Sequence, residues 1–173
     1  MKPVPSVRPF LPHEWRIYRD LRLRALADSP DAFSRILAEE KDRPDTDWSS
    51  RLASGAGSRR DLPLVAEIRE DAIGLAWGRI ELSAPDVAHL YQMWVDPGFR
   101  RLGVGQMLLN EIIAWATAAN AHYLDLGVLC GDSPATRLYS RTGFKPIGEP
   151  EPLRPGSTLL AQSMRLDLRR GAT

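Results

Sequence analysis

The stretch from Val87 to Ala119 limits what this 173-residue chain can fold into more than any other. Val87 to Val95 is rich in apolar and aromatic residues. Asp96-Pro97-Gly98 stops it, because proline cannot donate to a sheet ladder and Pro-Gly favours a turn. Beyond the turn, Val104, Met107, Leu108, Ile112, Trp115 and Ala119 recur at intervals of three and four, the spacing of one apolar stripe on a helix. Between strand and helix lies Arg100-Arg101-Leu102-Gly103-Val104-Gly105, with two glycines two apart at the helix start. The backbone there can come close to a ligand. The free N–H groups and positive dipole end of a helix N-terminus attract phosphate, and Arg100 and Arg101 add side-chain charge.

Two familiar phosphate loops do not fit this turn. A dinucleotide fold needs Gly-x-Gly-x-x-Gly after the first strand of a parallel unit, whereas this turn comes late and ends after two glycines. A nucleotide phosphate loop needs Gly-Lys-Ser or Gly-Lys-Thr, and neither occurs. Taken alone, the turn can equally be an ordinary strand-to-helix connection.

Arg100 to Gly105 resembles the pyrophosphate-binding signature of the GCN5-related N-acetyltransferases, Gln/Arg-x-x-Gly-x-Gly/Ala. Further on, Asp132-Ser-Pro-Ala-Thr-Arg-Leu-Tyr-Ser-Arg-Thr-Gly-Phe144 resembles that superfamily's other hallmark, Asn-x-x-Ala-x-x-Leu-Tyr, a short spacer and Gly-Phe. The two motifs stand in the family's order and spacing. Weaker likeness extends over nearly the whole chain, through Asp28-Ser-Pro-Asp-Ala-Phe33 and Met93-Trp94-Val95-Asp96-Pro97. One departure is Asp132, which stands where asparagine is usual and cannot supply an amide donor.

The resemblance implies an α/β (α+β) fold: a single domain over residues 1–173 with a central mixed, mostly antiparallel sheet of six to seven strands. A parallel, splayed central strand pair and helices on both faces complete it. It also implies an acetyl-CoA-dependent N-acetyltransferase in which a primary amine of a small molecule or peptide attacks the thioester directly in a ternary complex. By the same resemblance, Met93, Trp94 and Val95 hold the pantetheine arm, and backbone N–H groups there polarise the thioester carbonyl. Arg100, Arg101, Leu102, Gly103, Val104 and Gly105 hold the pyrophosphate, and Asp132 and Ala135 belong to the second coenzyme motif. Tyr139 matches the family's general acid. His89 stands four residues before Met93, where several members carry a glutamate base.

Elementary chemistry supports the need for such groups. A lysine-like amine costs about 4 to 5 kcal/mol to be neutral at pH 7, and a histidine can take its proton directly or through water. A tyrosine near pKa 10 facing a thiol near 8.5 stabilises the departing thiolate through a short hydrogen bond more readily than by completed transfer. The competing readings are a surface histidine for His89, a core aromatic for Tyr139, and for the whole chain a non-catalytic acyl-CoA-binding or sensory module.

Composition narrows the remaining classes. This length suits one domain burying about 70% of its unfolded surface, and no Ser/Gly linker or repeat divides it. A net charge of +1 gives no reason to expect nucleic acid or an anionic membrane as partner. One cysteine excludes an internal disulfide, no apolar run reaches about 18 residues, and Met1-Lys-Pro-Val-Pro lacks a signal-peptide core, so a soluble cytoplasmic protein is expected. A homodimer stays open. His13, His89 and His122 lack the spacing of a metal site, so no metal is expected. Cys130 has no activating base nearby in sequence and is expected to be a semi-buried structural residue.

Elsewhere, Ser6 to Phe10 reads as a first strand and Glu14 to Ala27 as an amphipathic helix, with Trp15, Tyr18, Leu21 and Ala25 on its apolar face and Arg16, Arg19, Arg22 and Arg24 mostly off it. A second helical stripe over Phe33, Ile36 and Leu37 follows a cap at Ser29 or Asp31. A third helix runs from Asp45 to Ala53 before a flexible Ser54-Gly-Ala-Gly-Ser loop. Leu62 to Arg69 and Ala72 to Leu82 form a hairpin in which Gly74 and Gly78 suggest a bulge or close backbone approach. Trp77 and Trp94 either line a pocket or fill the core. Tyr123 to Leu129 is a strand parallel to Val87–Val95, and Ser133 to Arg141 is a helix ended by Gly143. Phe144 to Ile147 and Leu159 to Leu168 supply the last strands. Between Asp28 and Asp47 there are seven acidic residues against three basic ones, which either steer a cationic acceptor or form a solvated face.

Overall fold

Among the described residues, seven strands, β1 (Pro5–Pro9), β2 (Asp61–Ile68), β3 (Asp71–Ile80), β4 (Val87–Val95), β5 (Tyr123–Leu129), β6 (Lys145–Pro152) and β7 (Leu160–Asp167), form one sheet in the order β1-β2-β3-β4-β5-β7-β6, with β4 and β5 its single parallel pair. The computed structural model describes residues 3–171. In chain order the elements are β1, α1 (Trp15–Asp28), α2 (Leu37–Glu40), α3 (Asp45–Ala56), β2 and β3. After them come β4, α4 (Val104–Ala118), β5, α5 (Pro134–Thr142), β6 and β7. The parallel pairing follows from α4, because a helical crossover returns the chain in the same direction.

Two apolar layers sandwich the sheet. On one face α4 buries Val104, Leu108, Leu109, Ile112 and Ala116, and α5 adds Leu138 and Tyr139. On the other, Tyr18, Leu21, Ala25 and Leu26 of α1 and Trp48 and Leu52 of α3 pack on Val65, Leu75, Trp77 and Trp94. Each fully buried leucine or isoleucine contributes about 1.5 to 3 kcal/mol, so α4 with its run of such residues anchors the middle of the sheet. Among the described residues, no helix is long and apolar enough to cross a membrane.

Several expectations change. The second stripe shrinks to the single turn α2, and Asp31 to Arg35 form a turn and bends; neither Ser29 nor Asp31 opens α2, since Ile36 stands at its N-cap with no side-chain bond, and Ser29 instead closes α1 through its backbone N–H. The Ser54-Gly-Ala stretch is not a loop but the last turn of α3. Gly55 is buried there against the ring of Trp77, so a glycine used for packing looked like a breaker. β6 continues to Pro152 as an edge strand whose Pro146, Pro150 and Pro152 need no ladder donors. Trp77 and Trp94 are both core residues. Cys130 is exposed rather than semi-buried.

Gly74 and Gly78 behave as expected of close approaches. A Cβ on Gly74 would lie 2.9 Å from the Trp94 carbonyl oxygen, and one on Gly78 would lie 2.7 Å from the Trp115 ring. β3 is itself bulged beside Gly74, where Ile73 is the extra residue between the Ala66–Gly74 and Glu67–Ala72 pairs, and a second bulge lies on β4. Trp77 pairs with Tyr91 but Leu75 pairs with Trp94, so Gln92 and Met93 together oppose Ala76, and Gln92 takes a left-handed φ of 56°.

Candidate active site

The bulge at Gln92 changes which way β4 faces. Ala88 and Leu90 belong to the α4 layer, yet Trp94, an even number of residues on, belongs to the α1/α3 layer, while Met93 and Val95 pack on the α4 side. One extra residue inverts the alternation of a strand. His89 and Tyr91 therefore share the α1/α3 side of the sheet, with their rings stacked at 5.8 Å and 16°.

β4 and β5 also part company here. Their parallel pairing is confined to Val87–Tyr123, Ala88–Leu124 and His89–Asp125. Beyond it a cleft of about 170 Å³ opens between the strands, lined by His89, Tyr91, Asp125, Gly127 and Ser163 among others. Asp125 is held by a two-pronged bond from Arg165, at 2.7 and 2.8 Å, which leaves His89 and Tyr91 as the titratable side chains of the cleft with no hydrogen-bond partner among the described residues.

The backbone at the end of β4 faces this gap. Asp96 N–H donates to Ile73 O at 2.8 Å, and Trp94 lies opposite Leu75, so the groups of Asp96 and Trp94 point at β3. Alternation turns those of Val95, and of Met93 two residues before, toward the side β5 has vacated. The carbonyl of Val95 accepts there from Arg100 Nε at 2.9 Å.

Below the gap lies the turn into α4. Arg101 and Gly103 both have left-handed φ, 65° and 80°, and Gly103 is the cap residue of α4. A Cβ on Gly103 would meet nothing within 4 Å; one on Gly105 would meet Leu138 at 3.4 Å. Met107 N–H is the first of the helix to find a carbonyl, that of Gly103, and the N–H groups from Arg101 to Gln106 have no acceptor among the described residues. The turn is a ready anion cradle.

Of the two arginines there, Arg101 is exposed, whereas Arg100 is committed to the fold through Val95 O and Asp28. Leu102 is exposed and Val104 is buried in the first turn of α4, so each presents only its backbone N–H at this turn. Trp94 likewise offers only backbone, because its indole is buried and donates to Asp28 at 2.9 Å.

The second motif forms α5. Ser133 caps it by accepting from Thr136 N–H, Pro134 opens it and Gly143, φ 110°, ends it. Asp132 lies outside the helix with its carboxylate on Arg137 at 2.7 Å, and Ala135 packs on the α4 layer. Tyr139 is 7% exposed, its ring lies 5.7 Å from that of Phe144, and its hydroxyl has no hydrogen-bond partner among the described residues. Burial pushes the phenol well above its ordinary range, so it stays protonated at neutral pH.

Residues 16–144 match the model of the acetyltransferase (GNAT) family. The chain belongs to that family. In sequence it is similar to the ribosomal protein bS18-alanine N-acetyltransferase of Salmonella typhimurium, 31% identical over 97 residues, covering 56% of this chain and 64% of that protein. The chain spans less than two thirds of the length of the curated relatives it matches. In fold it is similar to a putative acetyltransferase of Salmonella typhimurium solved with acetyl-CoA, with TM-score 0.78, 16% identity and 95% and 94% of the two chains covered. Spermidine N-acetyltransferase of Vibrio cholerae, solved with CoA and spermine, gives TM-score 0.78 at 16% identity over 98% of both chains.

The acidic stretch between Asp28 and Asp47 is largely spent within this GNAT fold. Glu40 is buried between Arg43 and Arg51, at 2.9 and 3.3 Å. Asp28 binds Trp94, Ser29 and Arg100, and Asp45 and Asp47 approach Arg19 and Arg43. Only Asp31, Glu39 and Asp42 lack an ion pair among the described residues, and all three are exposed. Sequence reading gave Tyr18, Arg22 and Gln92 no part in the site; Tyr18 is buried as its place on the apolar face of α1 implied, whereas Arg22, expected off that face, is buried too. Tyr18 Oη donates to Gln92 Oε1 at 2.8 Å across 74 positions, a contact with no local signal.

Proposed function

We propose that the chain transfers the acetyl group of acetyl-CoA to a primary amine by direct attack in a ternary complex. The observation that carries this reading is the gap between β4 and β5, which opens past His89 and Asp125 beside the unbonded N–H groups of the α4 turn. A pyrophosphate on that turn would send its pantetheine arm into the gap, where the N–H groups of Met93 and Val95 face the thioester. The coenzyme-bound neighbours from Salmonella and Vibrio support the choice of coenzyme.

The amine nitrogen attacks the thioester carbon, a C–N bond forms, and the oxyanion is met by backbone donors at the end of β4. The C–S bond then breaks. The proton lost by the amine goes to His89 or through it to water, and the thiolate is stabilised by the Tyr139 hydroxyl, which burial keeps protonated. Thiol release from acetyl-CoA across a panel of amines tests this. Release above the amine-free rate with at least one acceptor is expected; coenzyme binding without release on any amine would leave an acyl-CoA-binding module instead.

A further inference from the structure

We propose that the acceptor carries a carboxylate beside its amine, an amino-acid-like substrate, and that Arg22 on α1 binds that carboxylate. This rests on the acetyl-transfer reading above. Arg22 is 3% exposed, and its Nε and Nη1 groups are sealed from solvent with no hydrogen-bond partner among the described residues. A buried guanidinium normally meets a carboxylate or carbonyls, since an unpaired buried charge is costly. Glu40 attracts Arg22 through space, but its two oxygens are already taken by Arg43 and Arg51. Arg35 and Arg51 add to the positive field around Arg22 instead of relieving it. The Phe33 ring, 4.6 Å from the guanidinium carbon, covers one face but gives neither N–H group an in-plane acceptor.

The position suits a substrate group. Tyr18 and Arg22 are four apart on α1 and so lie on one face about one turn, about 5.4 Å, apart along the helix. Tyr18 reaches the bulge residue Gln92, which adjoins Met93 at the edge of the gap. An acceptor with its amine at the gap and its carboxylate one turn along α1 would supply the missing acceptor for Nε and Nη1 in the two-pronged geometry arginine prefers. A polyamine placed there would meet the surplus positive charge of Arg22 and Arg51. An acidic stretch that seemed to favour cationic acceptors thus lies beside a buried cluster with more arginines than carboxylates.

The test uses the full chain, acetyl-CoA, a panel of free L-amino acids, the corresponding amino-acid amides, and spermidine. For the best amino acid, kcat/KM is expected to exceed that of its amide and of spermidine by roughly ten- to hundredfold, the scale of a lost charge-assisted bond. Arg22→Gln should bring that ratio toward one through a higher acceptor KM, with the KM for acetyl-CoA unchanged, and Arg22→Lys should keep part of it. Amides that match acids, a preference for spermidine, or an undiminished ratio in Arg22→Gln would overturn the proposal. If Arg22→Gln fails to fold, the acid-to-amide ratio of the unaltered protein decides alone. If no amine is acetylated, the transfer reading fails separately; calorimetric titration of the amino acids into the CoA-loaded protein then decides the pocket, binding that the amides lack upholding it and its absence ending it.

Discussion

Asp28 Oδ2 accepts from Arg100 Nη2 at 2.6 Å, joining the last residue of α1 to the turn that precedes α4 across 72 positions. The same oxygen accepts from Trp94 Nε1 and Ser29 Oγ. One carboxylate thus holds three chain segments around the end of β4, and Arg100 passes the constraint on to Val95 O.

The indole of Trp94, the Ser29 hydroxyl and Arg100 hold the Asp28 carboxyl below its ordinary range. A lowered carboxyl stabilises the fold above its unfolded value of about 4, and that contribution disappears as pH falls through the folded value. Asp28→Ala is expected to cost about 1 kcal/mol at pH 7, discounted because the group is solvent-screened, and less at an acid pH where the folded carboxyl is protonated. Urea unfolding at the two pH values checks both the size and the sign.

The coenzyme cradle should fail without the fold failing. Gly103 is left-handed and its Cβ would enter open space, so Gly103→Glu adds backbone strain of about 1 to 2 kcal/mol and a negative charge where phosphate is expected. Calorimetry with acetyl-CoA should then detect no binding in a protein whose circular dichroism is native. Wild-type affinity would sink the cradle's assignment.

How much of this could be read from the chain depends on whether the determinant is local. The apolar stripe from Val104 to Ala116 and the stop at Pro97-Gly98 are local, so β4, the turn and α4 came out with nearly their observed limits. The glycine spacing pointed to the cradle for the same reason. The Gln92 bulge was out of reach: Gly74 marked only the bulge on β3, while on β4 the left-handed residue is a glutamine whose side chain accepts from a tyrosine on α1. Gly55 misled because its role is set by Trp77 on a different element. Arg22, in a run of alternating arginines on α1, looked like solvent-facing charge, and only tertiary packing turns it inward.

Gly55 gives a direct test of that packing. An added Cβ would lie 2.2 Å from Trp77 Cζ2, and the ring cannot retreat freely because its N–H is tied to Asp61 at 2.8 Å and its face meets Tyr18 at 5.5 Å. Alanine gains about 1 kcal/mol in helix propensity, but so close a contact puts overpacking in the upper part of its usual range, about 2 to 3 kcal/mol, and it should prevail. Gly55→Ala is therefore expected to lower stability by about 1 to 2 kcal/mol in chemical denaturation, despite being the better helix former.

Alkaline pH should expose the two buried phenols. Desolvation raises both Tyr18 and Tyr139, so the stability each contributes is intact below the unfolded value of about 10 and is lost as pH climbs from there through the folded value. The midpoint of thermal unfolding should fall above about pH 10. Tyr139→Phe should flatten that fall. A variant with the same alkaline slope as the parent would show that the Tyr139 phenol ionises freely in the native state.

His89 and Tyr139 are assigned different tasks from opposite faces of the sheet, and so should fail differently. His89→Ala should lose rate chiefly on the acid side of the profile, where the amine most needs a base, and recover as pH rises and free amine becomes available. Tyr139→Phe should lower kcat at every pH while acetyl-CoA affinity stays near its original value, because only an oxygen with no protein partner is removed. Assistance of this kind is typically worth about 10² to 10⁴ in rate, so a loss below about tenfold would reduce either residue to a supporting role. If Tyr139→Phe ran at the parental rate with chemistry rate-limiting, the thiolate would have to find its stabilisation elsewhere, and the backbone donors at Met93 and Val95 would be the next groups to examine.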